Sequence, residues 1–261
     1  MLVIAERINA TRKPIARAFQ ERDAEALARE VRAQAEAGAD FIDLNAASDP
    51  KHELENLDWG ARIIQEHTDL PLCLDSADPE VLRHGLSLIE GDTVMLNSVT
   101  AEEGKMRRVL EVAAESGALL IGLTLDDRGL PGTAETRLEI TERLLRAAEE
   151  AGVERERLYI DPCIQPIATN PEQGMEVVTA VQRIASSFPG VHTTCGLSNI
   201  SFGLPNRGLI NRTYLSCLIT AGLDSAILDP TEPGMMDTVC AAEALARRDE
   251  FCMNYIRTMR D

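Results

Sequence analysis

Glu6, Asp43 with Asn45, Asp75, Asn97 with Ser98, Thr124 with Asp126, Asp161, Ser198 with Asn199, and Asp229 each close a short apolar run. None of these eight runs closes on a histidine. An ionised carboxylate only accepts hydrogen bonds. Asp75 and Asp161 therefore suit a flat heterocycle whose adjacent N–H groups give one carboxylate two parallel bonds. An asparagine supplies a donor beside an acceptor, as a ring carbonyl next to an N–H requires. A 2-amino-4-oxo pyrimidine edge meets that inventory, and so do other amide-like heterocycles. At any single position the alternative is a turn or helix cap, the usual work of Asp, Asn and Ser. A whole ring of such ends exceeds what capping requires.

Other chemistries lack their residues. The sequence has no phosphate-cradling glycine loop, and no histidine neighbours a serine or cysteine in a nucleophile setting. Its lysines are Lys13, Lys51 and Lys105, none placed for an internal Schiff base. His52, His67, His84 and His192 fall in helical or strand-start segments. One set resembles metal ligands, namely His192, Cys195 and Cys217. However, positions 192 and 195 are three apart on an expected strand, which sends their side chains to opposite faces. No metal is expected.

The elements that position these residues are written in the apolar pattern. Runs rich in Val, Ile and Leu at 2–5, 41–44, 70–74, 93–96, 118–123, 158–160, 191–197 and 225–228 predict eight strands. They show little alternation, as strands buried on both faces of a parallel sheet do. Between them, helical periodicity spans 24–37, 57–66, 79–88, 101–115, 136–151, 171–187, 212–221 and 238–259. Gly38, Gly152 and Gly222 stand where helices should stop. Eight such units in 261 residues, with no linker, predict a single-domain α/β chain, a (β/α)8 barrel over residues 1–261. A doubly wound open sheet is the alternative, weakened because 5–9 contains no glycine for a phosphate turn. In a barrel the eight polar ends meet at one rim.

The net charge of −17, from 26 basic against 43 acidic residues, argues against general binding to nucleic acid or anionic membranes. An anionic ligand would need a local basic patch, for which Arg7, Lys51, Arg207 and Arg212 are candidates; pairing with surface acids is the alternative for each. The six cysteines do not form a disulfide framework. Neither a signal peptide nor a membrane-spanning run is expected, so a cytoplasmic protein is the expectation.

Taken in order, Glu6-Arg7-Ile8-Asn9, Asp43-Leu44-Asn45, Leu72-Cys73-Leu74-Asp75-Ser76, Asn97-Ser98, Ile121-Gly122-Leu123-Thr124, Tyr159-Ile160-Asp161-Pro162, Gly196-Leu197-Ser198-Asn199 and Asn211-Arg212-Thr213 carry a resemblance over nearly the whole chain. The sequence resembles the pterin-binding methyltransferases that exchange a methyl group between tetrahydrofolate and the corrinoid of a partner protein. The resemblance implies that Asp75, Asn97 and Asp161 hold the pterin of tetrahydrofolate or 5-methyltetrahydrofolate. It also implies that Asn199 reaches N5, the atom bearing the methyl group. Gly196, Ser198, Arg207, Glu6, Asp43 and Asn45 are further candidates for the folate site; for Glu6, Asp43, Asn45 and Asp229, turns and caps remain the alternative.

An uncharged N5 is a poor leaving group, so the transition state needs a hydrogen-bond donor or proton there. Asn199 offers an amide for either protonation state. After the Ser-Asn-X-Ser motif, where some relatives carry Gln and Asn, this chain has Phe202 and Gly203, closer to the folate domain of cobalamin-dependent methionine synthase. The direction of transfer stays open. The resemblance further implies a homodimer and a cobalamin or other corrinoid carried by a separate protein. The competing readings are a dihydropteroate synthase-like enzyme, which needs a basic cluster for pyrophosphate, and a non-catalytic module that only presents folate.

Overall fold

In the computed structural model, which describes residues 1–47 and 51–260, eight parallel strands wind into a barrel. They are β1 (Leu2–Asn9), β2 (Phe41–Asn45), β3 (Leu72–Asp75), β4 (Met95–Thr100), β5 (Leu119–Leu123), β6 (Leu158–Asp161), β7 (His192–Thr193) and β8 (Ser225–Leu228). Each pairs with its sequence neighbour, and β1 pairs with β8. The ring closes through a parallel bridge between Gly196 and Ile227, with Ile227 N–H donating to the Cys195 carbonyl at 2.8 Å. The barrel is the expected one, and the open-sheet alternative is excluded.

Ten helices flank the strands among the described residues: α1 (Lys13–Glu21), α2 (Ala24–Glu36), α3 (Glu53–Gln65), α4 (Pro79–Leu86), α5 (Met106–Ser116), α6 (Ala134–Ala151), α7 (Gln173–Ser187), α8 (Arg207–Ala221), α9 (Met235–Leu245) and α10 (Met253–Thr258). Asp23, Asp78 and Thr133 cap α2, α4 and α6 by accepting N–H bonds from Ala26, Glu80 and Thr136. Gly152 and Gly222 end α6 and α8 at φ of +84° and +124°, backbone that a Cβ resists.

Three local expectations are corrected. α1 was not anticipated; it is nine residues long and starts on Lys13-Pro14. The seventh strand is only two residues, because the chain turns into a 3-10 helix at Leu197–Ser201. The continuous helix expected over 238–259 is broken near Arg247 and again at Phe251 and Cys252, all at positive φ. There Asp249 accepts the N–H groups of Asn254 and Tyr255, at 3.0 and 2.9 Å, and so caps a new helix instead of continuing the old one.

What positions the site is strand parity. Ile4, Phe41, Cys73, Met95, Ile121 and Tyr159 form an apolar plug. Two residues further along the same strands stand Glu6, Asp43, Asp75, Asn97, Leu123 and Asp161. Since alternate residues share a face, these occupy the next layer toward the C-terminal rim. The plug closes the barrel beneath them, and its burial supplies the rigidity on which the polar layer rests.

Candidate active site

A cavity of about 640 Å³ opens at the C-terminal rim, lined among others by Glu6, Asp43, Asp75, Asn97, Ser198 and Asn199. Its floor is a chain of carboxyls and amides. Asn45 Nδ2 donates to Asp75 Oδ2 at 2.9 Å, and Asn97 Nδ2 donates to Asp43 Oδ1 at 3.3 Å. The β4–β5 register shifts between Asn97 and Val99, and the Asn97–Ser98 peptide is cis. Burial pushes the Asp43 carboxyl well above the usual range, reinforced by facing Asp75 and Glu6 and opposed by hydrogen bonds with Cys73 and Asn97. Asp75 is also raised, first by burial and then by Glu53, with Asn45 opposing. Like charges crowded in a low-dielectric pocket hold protons until a ligand brings N–H donors.

Asp161 is supported differently. Its two oxygens accept backbone N–H bonds from Cys163 at 2.7 Å and Gly196 at 3.3 Å. Burial raises its carboxyl to about 6, with those two N–H groups and Arg137 opposing the rise. It is buried beside Gly196, which lines the cavity.

Asn199 is exposed on the 3-10 helix after β7, not on an irregular loop. Ser198 Oγ donates to Glu6 Oε1 at 2.5 Å, while Arg207 donates from Nη2 to the Ser198 carbonyl at 2.6 Å and from Nε to Ser201 Oγ at 3.0 Å. Glu6, Ser198 and Arg207 thus hold the turn that presents Asn199. Burial raises the Glu6 carboxyl, as does Asp229, against the Ser198 bond, Arg12 and Arg207. Gly196 leaves room for the amide, since a Cβ there would lie 3.1 Å from Asn199 Nδ2.

Asp229 also lines the cavity, but its carboxyl is engaged there, accepting from Arg7 Nη1 at 2.8 Å and from Thr231. Other ring members fall outside this geometry. Asp126 pairs with Arg128 and Arg143, and Thr124 is sealed in the interior. Of the basic candidates, Arg7 and Arg207 line the cavity, Arg7 paired there with Glu30 and Asp229; Arg212 is paired with Glu232, and Lys51 is exposed at the approach to α3. Asn211 joins the site without having been a candidate from the sequence. It is 4% exposed on α8, lines the cavity, and its Oδ1 has no partner among the described residues. Its only signal was the Asn211-Arg212-Thr213 motif, which carries no chemistry by itself.

Among the described residues no group of three His, Cys, Asp or Glu is gathered as a metal site. His192 Nδ1 lies 2.8 Å from Asp224 Oδ2 and its ring stacks on Tyr159, while Cys195 is buried and Cys217 exposed. Nor is any described helix long and apolar enough to cross a membrane.

A barrel plugged at its base and lined at its rim by carboxyls and amides defines a class of enzyme that grips a polar heterocycle. The chain belongs to the pterin binding enzymes, whose family model matches residues 5–229. Over its whole length it is 35% identical to the methylcorrinoid:tetrahydrofolate methyltransferase of Eubacterium limosum, covering 96% of that protein. It is 34% identical over 87% of its length to methionine synthase of Mycobacterium leprae, of which it spans 20%. Among solved structures it resembles dihydropteroate synthase from Xanthomonas albilineans in complex with 7,8-dihydropteroate, with a TM-score of 0.73 at 20% identity, covering 94% of this chain and 93% of that one. That likeness is one of fold.

Proposed function

We propose that residues 1–261 form one pterin-binding domain that moves a methyl group between the cobalt of a corrinoid protein and N5 of tetrahydrofolate. The observation that carries this reading is the cavity that faces Asn199 toward a layer of Asp43, Asp75 and Asn97, in a chain colinear with a methylcorrinoid:tetrahydrofolate methyltransferase. By analogy with that relative, the methyl group travels toward tetrahydrofolate.

Asp75 and Asp161 accept the N–H groups of the pterin edge, Asn97 meets its amide, and Asp43 and Asn45 buttress Asn97 and Asp75. The corrinoid, carried by its partner protein, supplies the methyl group on cobalt. As N5 forms the new bond it becomes positively charged and sheds its own proton to solvent water, while the electron pair of the broken cobalt–carbon bond stays with the corrinoid. Asn199 accepts a hydrogen bond from N5–H through Oδ1 in this direction, and donates through Nδ2 in the reverse one. The residues fit a bulky partner, because Asn199 is exposed and Phe202, 66% exposed, stands at the same mouth. The chain works in the cytoplasm, where its six unpaired cysteines stay reduced. It works as a homodimer, for which the apolar groove between α7 and α8, lined by Met175, Leu209 and Tyr214, is a suitable surface.

The test mixes the protein with tetrahydrofolate and a methylated corrinoid and follows the cobalt spectrum. Demethylation of the corrinoid with formation of 5-methyltetrahydrofolate is expected. Folate binding without spectral change would leave a presenting module, and condensation of a pterin pyrophosphate with p-aminobenzoate would restore the synthase reading.

A further inference from the structure

Among the described residues Arg137 is the bulkiest side chain sealed fully from solvent. It leaves the first turn of α6. Its Nε donates to the Pro162 carbonyl at 2.6 Å, and its Nη2 to Gln173 Oε1 at 2.7 Å and the Cys163 carbonyl at 3.4 Å. Nη1 has no partner among the described residues. Every acceptor it holds is neutral, although the chain carries 43 acids. A buried cation without a bonded anion is costly, and packing alone would be served better by an apolar residue of the same volume.

The titratable groups that face Arg137 are Cys163, Tyr214 of α8, Glu176 of α7 and Asp161. Burial raises the Cys163 thiol to about 12 and the Tyr214 phenol further still, so both are neutral at physiological pH. Glu176 accepts from the Ala134 N–H at the start of α6. Of these two carboxyl groups, Glu176 is held at the start of α6, whereas Asp161 stands on the segment whose carbonyls Arg137 holds. Pinning the carbonyls of Pro162 and Cys163 directs the Cys163 N–H onto Asp161 Oδ1. Asp161 is faced in addition by Cys195 beyond β7, whose thiol burial keeps protonated.

We infer that Arg137 is a positioning residue of the pterin site, which fixes the 162–163 segment and supplies a buried positive charge that favours the Asp161 carboxylate when a ligand with adjacent N–H donors binds. The inference rests on the proposed pterin reading and names a residue outside the cavity on which that site depends. Binding is then linked to deprotonation of Asp161: affinity rises as pH passes through about 6 and is set by the Arg137 charge.

The experiment is tetrahydrofolate titration of the full chain by calorimetry between pH 5 and 8, with Arg137→Gln, Arg137→Lys and each of these in an Asp161→Asn background. Arg137→Gln is expected to move the inflection in Kd upward by about one pH unit, and so to weaken binding about tenfold at pH 5 and only about twofold at pH 7, since one unit is a tenfold change only below both inflections. Arg137→Lys keeps the inflection while weakening affinity a few-fold. Neither substitution costs further affinity once Asp161 is Asn, as expected for residues that act through one another. An unshifted inflection in Arg137→Gln, or an undiminished loss in the Asp161→Asn background, overturns the inference. If Arg137→Gln does not fold, Arg137→Lys decides on the same two readouts, and a displaced inflection there refutes it. A wild-type protein that binds no folate fails the functional reading alone. The midpoint of stability against pH in the ligand-free variants then reads the Arg137–Asp161 relation, and an unchanged midpoint overturns it.

Discussion

The two sides of the rim solve the same problem by different means. On the β2–β4 side, Asp43, Asn45, Asp75 and Asn97 belong to paired strands and hydrogen-bond one another. On the β6–β7 side, Asp161 is held by backbone N–H groups, and Asn199 sits on a single 3-10 turn clamped by Glu6 and Arg207. The β2–β4 side is rigid and presents acceptors, whereas the β6–β7 side adds the Asp161 carboxyl at its strand end and places on its turn one neutral amide with room to reorient. A recognition surface and a reacting group are thereby built on different supports.

The largest effect should come from breaking the recognition surface. Asp75→Ala is expected to weaken tetrahydrofolate binding about 100-fold, given about 1.5–3 kcal/mol for each charge-assisted bond lost, and calorimetry reads it. The methyl transfer rate at saturating folate should fall much less.

A second prediction concerns the proton load. The Asp161 carboxyl lies near 6 in the fold against an ordinary value near 4, so the unfolded chain releases its proton first as pH rises. This group therefore lowers folding stability between about pH 4 and 6, by on the order of 3 kcal/mol, with no further loss above that window. Denaturant midpoints across the window should show stability falling as pH rises. In Asp161→Asn that part of the fall should be absent.

The smallest effect tests the turn. Gly196→Ala places a Cβ 3.1 Å from Asn199 Nδ2 and should slow transfer about threefold to tenfold, on the order of 1 kcal/mol of misplaced amide, with folate affinity nearly unchanged. An equal loss in both would place Gly196 in the binding surface instead.

Much of this contrast was legible before the fold was known, for a physical reason. A parallel strand buried on both faces writes a short apolar run whose boundary is sharp. Asp43, Asp75, Asn97 and Asp161 stand at such boundaries, in phase with the plug residues Phe41, Cys73, Met95 and Tyr159. Thr124 and Asp126 stand at a boundary too, yet their side chains turn to the interior and to Arg128 and Arg143. Nothing local distinguishes them. Arg137 was invisible because α6 carries arginines and glutamates throughout, and only the packed loop beneath it shows which arginine is sealed. Asn211 and α1 were missed because a lone amide on a helix and a nine-residue amphipathic segment read like surface.

The division between recognition and reaction meets its most direct test in Asn199→Ala, with single-turnover transfer from a methylated corrinoid protein measured beside the calorimetric Kd for tetrahydrofolate. A rate lowered about 100-fold, the scale of one lost transition-state hydrogen bond, with Kd changed less than about fivefold, well under 1.4 kcal/mol, is the predicted result. Wild-type rates in that variant, or a loss confined to Kd, would contradict it.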